Sequence, residues 1–342
     1  MDKNPLKPRY LAVKEHLQER LGNGSLSPGD KVRPLELTRQ FQVSTITVER
    51  ALRELTEEGY LRREKGTGTV VIPRRGAGGG VAYVMMCSEG HFWGGLYAEI
   101  VRGLATQGLH VLTYPAEGAA LESRWEEALS FGGEVMVAAA RGNFPFHLLG
   151  RGQRPRRLVF CPFYESALEF PDTAKVLVDY FAVGYLSAGH LLDRGYKHLV
   201  FWAVPDSGMT HSLGARMAGI RKAMAERGAS SLTLQDNLPA TASPAELDKA
   251  VAALSRRSGL IFLYDFLATG VIASCKRLGL SIPGDLGLVG CFNTPWTAHL
   301  QPTLTSVSLR EEKLAEEVCR RVRDGVSGET LVTPELVIRG ST

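Results

Sequence analysis

FQVSTITVERALRELTEEGYLRREKGTGTVV, residues 41–71, is the segment whose pattern is most informative about the structure. Ser44 can accept a backbone N–H at the start of a helix, and Gly59 is placed to end that helix. Between them, apolar residues recur at helical spacing, at Val48, Ala51, Leu52 and Leu55. The pattern predicts an amphipathic helix whose apolar face packs on other helices.

The residues around this helix predict a basic hairpin and a polar outer face. Tyr60 and Leu61 open an extended run that is broken by the turn-forming sequence KGTG at residues 65–68. The outer face of the helix carries Thr45, Thr47, Arg50 and Arg53. Such a unit is a winged helix-turn-helix, with a helix for the major groove and a wing for the phosphates. Periodicity alone leaves open an ordinary small helical domain.

Three segments resemble the N-terminal domain of GntR-family transcription regulators in order and spacing. They are LSPGDKV (26–32), QVSTITVERAL (42–52) and EEGYLRREKGTGTVV (57–71), and the similarity covers about residues 6–72. The resemblance implies a winged helix-turn-helix that binds DNA. The predicted DNA-binding residues are Arg33, Ser44, Thr45, Thr47, Arg50, Arg53, Arg62, Lys65, Gly66, Thr67 and Gly68.

The chain departs from the GntR pattern at two positions that such domains usually fill with arginine. Thr45 stands just after the motif serine, and Glu49 stands just after Thr47-Val48. A glutamate repels phosphates unless it accepts from a cytosine amino group in the major groove. The segment 32–36 is also one residue shorter than the family's usual run. We therefore expect an operator that differs from the common GntR consensus.

Charge is concentrated in this first quarter of the chain. Residues 1–75 carry 15 Lys and Arg against 10 Asp and Glu, whereas residues 76–342 carry 25 against 26. A basic face attracts nucleic acid because neutralising phosphates releases counterions. A small basic unit on a nearly neutral body fits DNA binding combined with a second task.

The rest of the chain predicts a two-lobed α/β body. Residues 73–80 (PRRGAGGG) form a Gly-rich linker after a winged-helix domain at 1–72. From residue 81, short apolar runs alternate with helical patterns, which favours two doubly wound parallel sheets. The predicted strands are VAYVMMC (81–87), LHVLTY (109–114), EVMVAAA (134–140), RLVFC (157–161), KVLVD (175–179), KHLVFWAV (197–204), SLTLQD (231–236), GLIFLY (259–264) and LGLVGCF (286–292).

Five segments in order resemble the effector-binding domain of LacI/GalR-type repressors, which shares its fold with periplasmic binding proteins. They cover residues 176–202, 214–228, 259–293, 301–309 and 333–342. A GntR-type head on this body looks like the arabinose-responsive repressor subfamily, which implies a homodimer controlled by a sugar. Residues 81–342 are the predicted effector-binding and dimerisation domain, with one lobe at about 81–178 plus 308–326 and the other at about 181–292 plus 329–342.

The fold places a ligand in the cleft beyond the carboxyl ends of the strands. Residues at strand ends that match the family's contact positions are Ser88, Glu89, Phe92, Arg216, Asp265, Phe292 and Asn293. Arg216 offers five donors, and the Asp265 carboxylate can accept two hydroxyls, although it can equally cap the following helix. Trp93 is better explained by packing in the helix core than by stacking on a ligand. Phe292 stands where the family usually has aspartate, so a hydroxyl contact is replaced by an apolar wall.

Other classes of protein find no support in the sequence. The five cysteines are widely spaced, and neither a signal peptide nor a membrane span is evident, which predicts a cytoplasmic protein with reduced thiols and no membrane partner. Enzyme motifs, metal sites and cofactor sites are absent from the pattern. The prediction is a transcription regulator, more specifically a repressor, that binds a palindromic double-stranded operator and a carbohydrate effector. The alternative is a cytosolic small-molecule sensor with weak or lost DNA binding that acts through a protein partner.

Overall fold

The computed structural model describes most of the chain. The residues described are 8–22, 25–26, 29–58, 60–64, 68–71, 80–86, 91–115, 122–123, 125–126, 128, 134–140, 144, 146–150, 155–164, 170, 172–204, 210–229, 231–235 and 241–342. The predicted linker lies outside these residues except for residue 80.

The head is a three-helix unit with a small sheet. Its helices are α1 (Arg9–Gly22), α2 (Pro34–Phe41) and α3 (Thr45–Glu57), and its strands are β1 (Lys31–Val32), β2 (Leu61–Glu64) and β3 (Gly68–Val71). The predicted apolar face of α3 is confirmed, because Val48, Ala51, Leu52 and Leu55 are fully buried. Helix α1 supplies Val13 and Leu17 to the same core.

The wing has one strand more than the sequence indicated. Strand β2 pairs antiparallel with β3 as the predicted hairpin, and β1 adds to the other side of β3. Lys31 lies opposite Val70, and Val32 lies opposite Thr69. A two-residue strand carries too little periodic pattern to be recognised in the sequence.

The first lobe of the body is a parallel sheet of six strands in the order β14-β8-β7-β6-β4-β5. Its strands are β4 (Val81–Met86), β5 (His110–Pro115), β6 (Val135–Ala140), β7 (Arg157–Tyr164), β8 (Ala174–Val178) and β14 (Gly328–Val332). Helices α4 (His91–Thr106) and α9 (Glu311–Asp324) pack together against it. A short 3-10 helix covers Phe146–Gly150.

The second lobe has a six-stranded sheet in the order β10-β9-β11-β12-β13-β15, parallel except for the last strand. Its strands are β9 (His198–Trp202), β10 (Ser231–Gln235), β11 (Ser258–Phe262), β12 (Leu286–Cys291), β13 (Thr305–Ser308) and β15 (Glu335–Val337). Its helices are α5 (Tyr180–Asp193), α6 (Thr210–Glu226), α7 (Pro244–Ala252) and α8 (Asp265–Leu278). A 3-10 helix spans Pro295–His299. The predicted α/β class with two parallel-sheet lobes is confirmed.

The predicted boundaries of the lobes were wrong at two places. Residues 328–332 pair with β8 of the first sheet, so they do not belong to the second lobe as expected. Residues 305–307 pair with β12 and residue 308 pairs with β15, so residue 308, predicted to open the second segment of the first lobe, belongs to the second sheet. The chain therefore crosses between lobes at 179, 309–310 and 333–334. Strand pairing between segments far apart in sequence decides these boundaries, and local pattern does not reveal it.

Candidate nucleic-acid interface and effector cleft

The start of helix α3 is built from two of the predicted DNA-binding side chains. Ser44 Oγ accepts the backbone N–H of Thr47 at 3.2 Å, and the two hydroxyl oxygens lie 2.9 Å apart. Both residues therefore hold the first turn in place, since a capping oxygen satisfies a helix N–H that has no other partner. Thr45 and Ile46 are exposed beside them.

The arginines of α3 are exposed but interact with neighbouring residues. The Arg50 guanidinium lies 3.9 Å from the ring centroid of Tyr10, and its Nε is 3.5 Å from Glu54. Arg53 Nε is 4.0 Å from Glu57. Their side chains remain 54% and 67% exposed, so both guanidinium groups can still reach a ligand. Exposed pairs of this kind contribute little to stability, which leaves the arginines free to exchange partners.

Glu49 forms an ion pair with Arg63 on strand β2 of the wing. The contact joins the reading helix to the wing and neutralises a carboxylate where GntR-type heads usually place an arginine. Sequence reasoning identified the glutamate but not its partner, because the pair joins residues 14 positions apart across two elements. Arg63 was not among the predicted contacts.

The remaining predicted DNA-binding residues are spread around the same surface. Arg33 precedes α2 and pairs with Glu36 at 3.0 Å. Arg62 is half-buried on β2, and Gly68 opens β3 with a φ of 98°, a left-handed conformation that favours glycine. Lys65, Gly66 and Thr67 lie outside the described residues.

In the body, Asp265 anchors the loop that follows strand β12. Its side chain is 1% exposed. Oδ1 accepts the Ser306 hydroxyl at 2.6 Å, and Oδ2 accepts both the N–H and the hydroxyl of Thr294 at 2.8 Å. Burial raises the pKa of this carboxyl to about 6, against the opposing effect of these hydrogen bonds. Its lone pairs are directed at the chain itself, so Asp265 positions the loop.

Arg216 on α6 is a fully buried arginine near the ends of β11 and β12. It is 1% exposed, and its guanidinium lies 4.9 Å from the ring centroid of Tyr180. Nη1 donates to the Leu263 carbonyl at 2.9 Å, and Nη2 approaches Cys291 Sγ at 3.5 Å. Burial raises the pKa of the Cys291 thiol to about 11, so the sulfur is neutral at pH 7.

The Nε of Arg216 is buried without a hydrogen-bond acceptor among the described residues. A buried charged donor without an acceptor is costly, and an incoming acceptor atom relieves that cost. Gly184 lets helix α5 approach the backbone of Arg216 closely, because a Cβ there would overlap the Arg216 carbonyl. The position of Arg216 is thus fixed by tight helix packing.

Phe292 and Asn293 turn the chain at the end of β12 with φ values of 99° and 51°. The side-chain amide oxygen of Asn293 accepts from Arg339 at 2.7 Å, and the backbone N–H of Asn293 donates to Ser306 Oγ at 2.9 Å. Asn293, like Asp265, therefore has its acceptor occupied within the protein. Backbone held in this region is strained for residues other than glycine, which is a common feature of ligand sites.

Aromatic rings connect the lobes at this corner. Phe292 stacks on Tyr264 with ring centroids 5.4 Å apart, and its ring lies nearly perpendicular to that of Trp93 of the first lobe, with centroids 5.6 Å apart. Trp93 also contacts Phe163 at 4.8 Å. The predicted apolar wall at Phe292 is thus part of an aromatic cluster. Trp93 both packs and faces the second lobe, whereas the side chains of Ser88, Glu89 and Phe92 lie outside the described residues.

The described residues contain neither a membrane-spanning helix nor a metal-binding cluster. None of the helices described there is long and apolar enough to cross a membrane. No group of three or more His, Cys, Asp or Glu side chains in that part of the chain is arranged to hold a metal ion. Cys161, Cys275, Cys291 and Cys319 are free thiols.

The domains match two known families. Residues 9–71 match the bacterial regulatory proteins of the gntR family, and residues 188–342 match the periplasmic binding protein-like domain. The chain thus joins a gntR-family winged helix to a periplasmic-binding-protein-like body, which confirms the resemblance at the level of domains.

Relatives with similar sequences are transcription regulators. The HTH-type transcriptional repressor PurR of Erwinia tasmaniensis is 26% identical over 175 residues, which cover 50% of each chain. The HTH-type transcriptional regulator DegA of Bacillus subtilis is 27% identical over 176 residues, covering 49% of this chain and 51% of DegA. This chain therefore spans about half the length of the relatives that it matches.

Solved structures show the same fold. A LacI family transcriptional regulator from Enterococcus faecium with bound ribose superposes with a TM-score of 0.61 at 20% identity, covering 77% of this chain and 98% of the other. The transcriptional regulator CelR in complex with cellobiose gives 0.63 at 17% identity, covering 88% and 92%.

Proposed function

We propose that this protein is a sequence-specific DNA-binding transcription regulator, more specifically a repressor, whose operator affinity depends on a small molecule bound between the two lobes. The observation that carries the proposal is the pairing of one head and one body. The head presents exposed Arg50 and Arg53 on a capped helix beside a wing, and the body buries Arg216 with an unused donor near the ends of β11 and β12.

The effector that we propose is a carbohydrate or a carbohydrate derivative. The related folds include regulators in complex with ribose and cellobiose, which supports this class. The aromatic cluster of Trp93, Tyr264 and Phe292 offers apolar faces of the kind that line small-molecule pockets, and Arg216 Nε offers a donor to a ligand oxygen. The Asp265 carboxylate and the Asn293 amide oxygen at this corner already accept hydrogen bonds within the protein.

Coupling between the cleft and the head follows from lobe movement. The lobes are joined at 179, 309–310 and 333–334, so a ligand that prefers one separation of the lobes shifts the population of body conformations. In a homodimer this movement changes the spacing of the two heads, and a palindromic operator with fixed half-site spacing responds to that change. The contact between Trp93 and Phe292 joins the two lobes at this point.

Fluorescence anisotropy with the DNA upstream of the protein's own gene tests the proposal. The full-length protein should bind this duplex more tightly than a scrambled duplex, and one metabolite from a thermal-shift screen should change that affinity. A binder raises the melting temperature by mass action. Equal affinity for both duplexes at every salt concentration would refute sequence-specific binding.

One observation favours a second function, a sensor that acts through a protein partner. Glu49 and its pair with Arg63 reduce the positive charge of the reading surface. A sensor of this kind would bind a metabolite in the thermal-shift screen and show no preference for any duplex, so the two functions are separated by the same two experiments.

A further inference from the structure

We propose that Ile46 reads thymine methyl groups in the major groove, and this inference rests on the proposed DNA-binding function. The side chain is 81% exposed, the highest value among the exposed large hydrophobic residues of the described chain. It is the second residue of α3, next to the capping residue Ser44 and the exposed Thr45. Sequence reasoning passed over it because aliphatic residues on a helix are expected in the core.

Ile46 has no place in the core of its own domain. The buried face of α3 is formed by Val48, Ala51, Leu52 and Leu55, and Ile46 lies outside it. In helix-turn-helix proteins, residues at the N-terminal end of the recognition helix contact the base edges. The cap at Ser44 fixes the orientation of this first turn, so the direction of the Ile46 side chain is set before any DNA is bound.

The surface around Ile46 suits DNA better than an apolar partner. Arg50 and Arg53 lie further along the same helix, and Arg63 reaches it from the wing. A protein partner that buries an aliphatic residue would have to bury these charges as well, whereas phosphates attract them. DNA combines both features, because its major groove presents small apolar groups between negatively charged phosphates.

The chemistry of isoleucine then restricts what can be read. The side chain has no hydrogen-bond donor or acceptor, so it cannot distinguish bases by their polar edges. The apolar group that a base pair presents in the major groove is the C5-methyl group of thymine. Burying one methyl-sized group changes Kd by a factor of about four.

The test replaces thymine with uracil, which removes that methyl group and nothing else. An operator is first selected from a random duplex library with the full-length protein, and each thymine is then changed to uracil in turn. We expect one or two positions at which uracil weakens binding about fourfold. With Ile46→Ala, the same positions should become insensitive, and Ile46→Val should retain part of the effect.

Matched controls separate this effect from others. Ile338→Ala removes another exposed isoleucine, 55% exposed in the body, and should keep the full sensitivity to uracil. The dependence of Kd on salt should be unchanged in Ile46→Ala, because an apolar contact releases no counterions. Two outcomes would overturn this inference and leave the proposed function standing. In the first, Ile46→Ala keeps its sensitivity to uracil. In the second, the wild-type protein binds a selected operator but shows no sensitivity to uracil. Failure to select any duplex would overturn the proposed function together with this inference.

Discussion

Replacement of Asp265 tests whether this carboxylate holds the cleft loop in place. Asp265→Ala removes an acceptor that receives one hydroxyl at 2.6 Å and the N–H and hydroxyl of Thr294 at 2.8 Å. Hydroxyl groups can turn to other acceptors, but the Thr294 N–H has a fixed direction. An unsatisfied buried donor costs about 1–3 kcal/mol, so we expect Asp265→Ala to lose about 3 kcal/mol of stability in total.

Asp265→Asn should behave differently because it keeps the shape and removes the charge. The amide oxygen can accept from Thr294, and the amide nitrogen can donate to Ser306 Oγ. The pKa of Asp265 is raised by burial from 3.8 to about 6, which corresponds to about 3 kcal/mol of unfavourable charge burial at neutral pH. This figure already includes the hydrogen bonds from Ser306 and Thr294 that favour the charged carboxylate. The variant should therefore be at least as stable as the wild type at pH 7.5.

The pH dependence has a definite sign. Because the folded-state pKa is raised, the native state binds this proton more tightly than the unfolded state does, and stability from this group is lost as pH rises from about 4 through 6. Between pH 5 and pH 7.5 the stability of Asp265→Asn relative to wild type should increase by roughly 1 kcal/mol. Urea unfolding at both pH values measures it. A loss in Asp265→Asn as large as in Asp265→Ala, at either pH, would refute this account of the loop.

Three further predictions concern the reading surface and the lobes. Glu49→Gln frees Arg63 for a phosphate, so the slope of log K against log salt should steepen by about 0.9, while the free energy of unfolding falls by at most about 1 kcal/mol. Anisotropy titrations from 50 to 200 mM salt measure the slope. An unchanged slope would show that Arg63 does not reach a phosphate in this variant. Arg50→Ala and Lys65→Ala should each weaken operator binding and make the slope shallower by a similar amount, and if both leave binding unchanged the sensor function replaces the regulator. Phe292→Ala removes an aromatic contact between the lobes worth about 0.5–1.5 kcal/mol. Small-angle scattering of the variant without effector should therefore show a larger radius of gyration than that of the wild type. An identical radius would show that the contact does not hold the lobes together.

Local sequence pattern was sufficient for the elements that bury a continuous apolar face. Helix α3 could be predicted from the spacing of Val48, Ala51, Leu52 and Leu55, and the inner strands from runs of apolar residues. Burial of such a face dominates folding free energy, so its period is visible in the sequence. Strand β14, with its exposed Leu331, has no such period, and its membership of the first sheet depends on pairing with β8.

The candidate site was predicted by position and only partly by role. Sequence analysis placed Arg216, Asp265 and Phe292 at strand ends, and the structure locates them near the ends of β11 and β12. It could not show that the Asp265 carboxylate accepts from the chain itself, because that depends on Thr294 in the loop after β12 and Ser306 on β13, which are distant from Asp265 in sequence. Ion pairs between elements, such as Glu49 with Arg63, are invisible for the same reason.

The proposed control of operator affinity by a small molecule in the cleft can be measured directly. Anisotropy of a labelled operator is recorded with the full-length protein, with and without the metabolite that gives the largest thermal shift, in the wild type and in Gly184→Ala, which displaces the backbone of Arg216. We predict that the metabolite changes operator Kd at least fivefold in the wild type and loses this effect in the variant. An operator Kd that stays constant while the metabolite saturates the wild-type protein would contradict the claim.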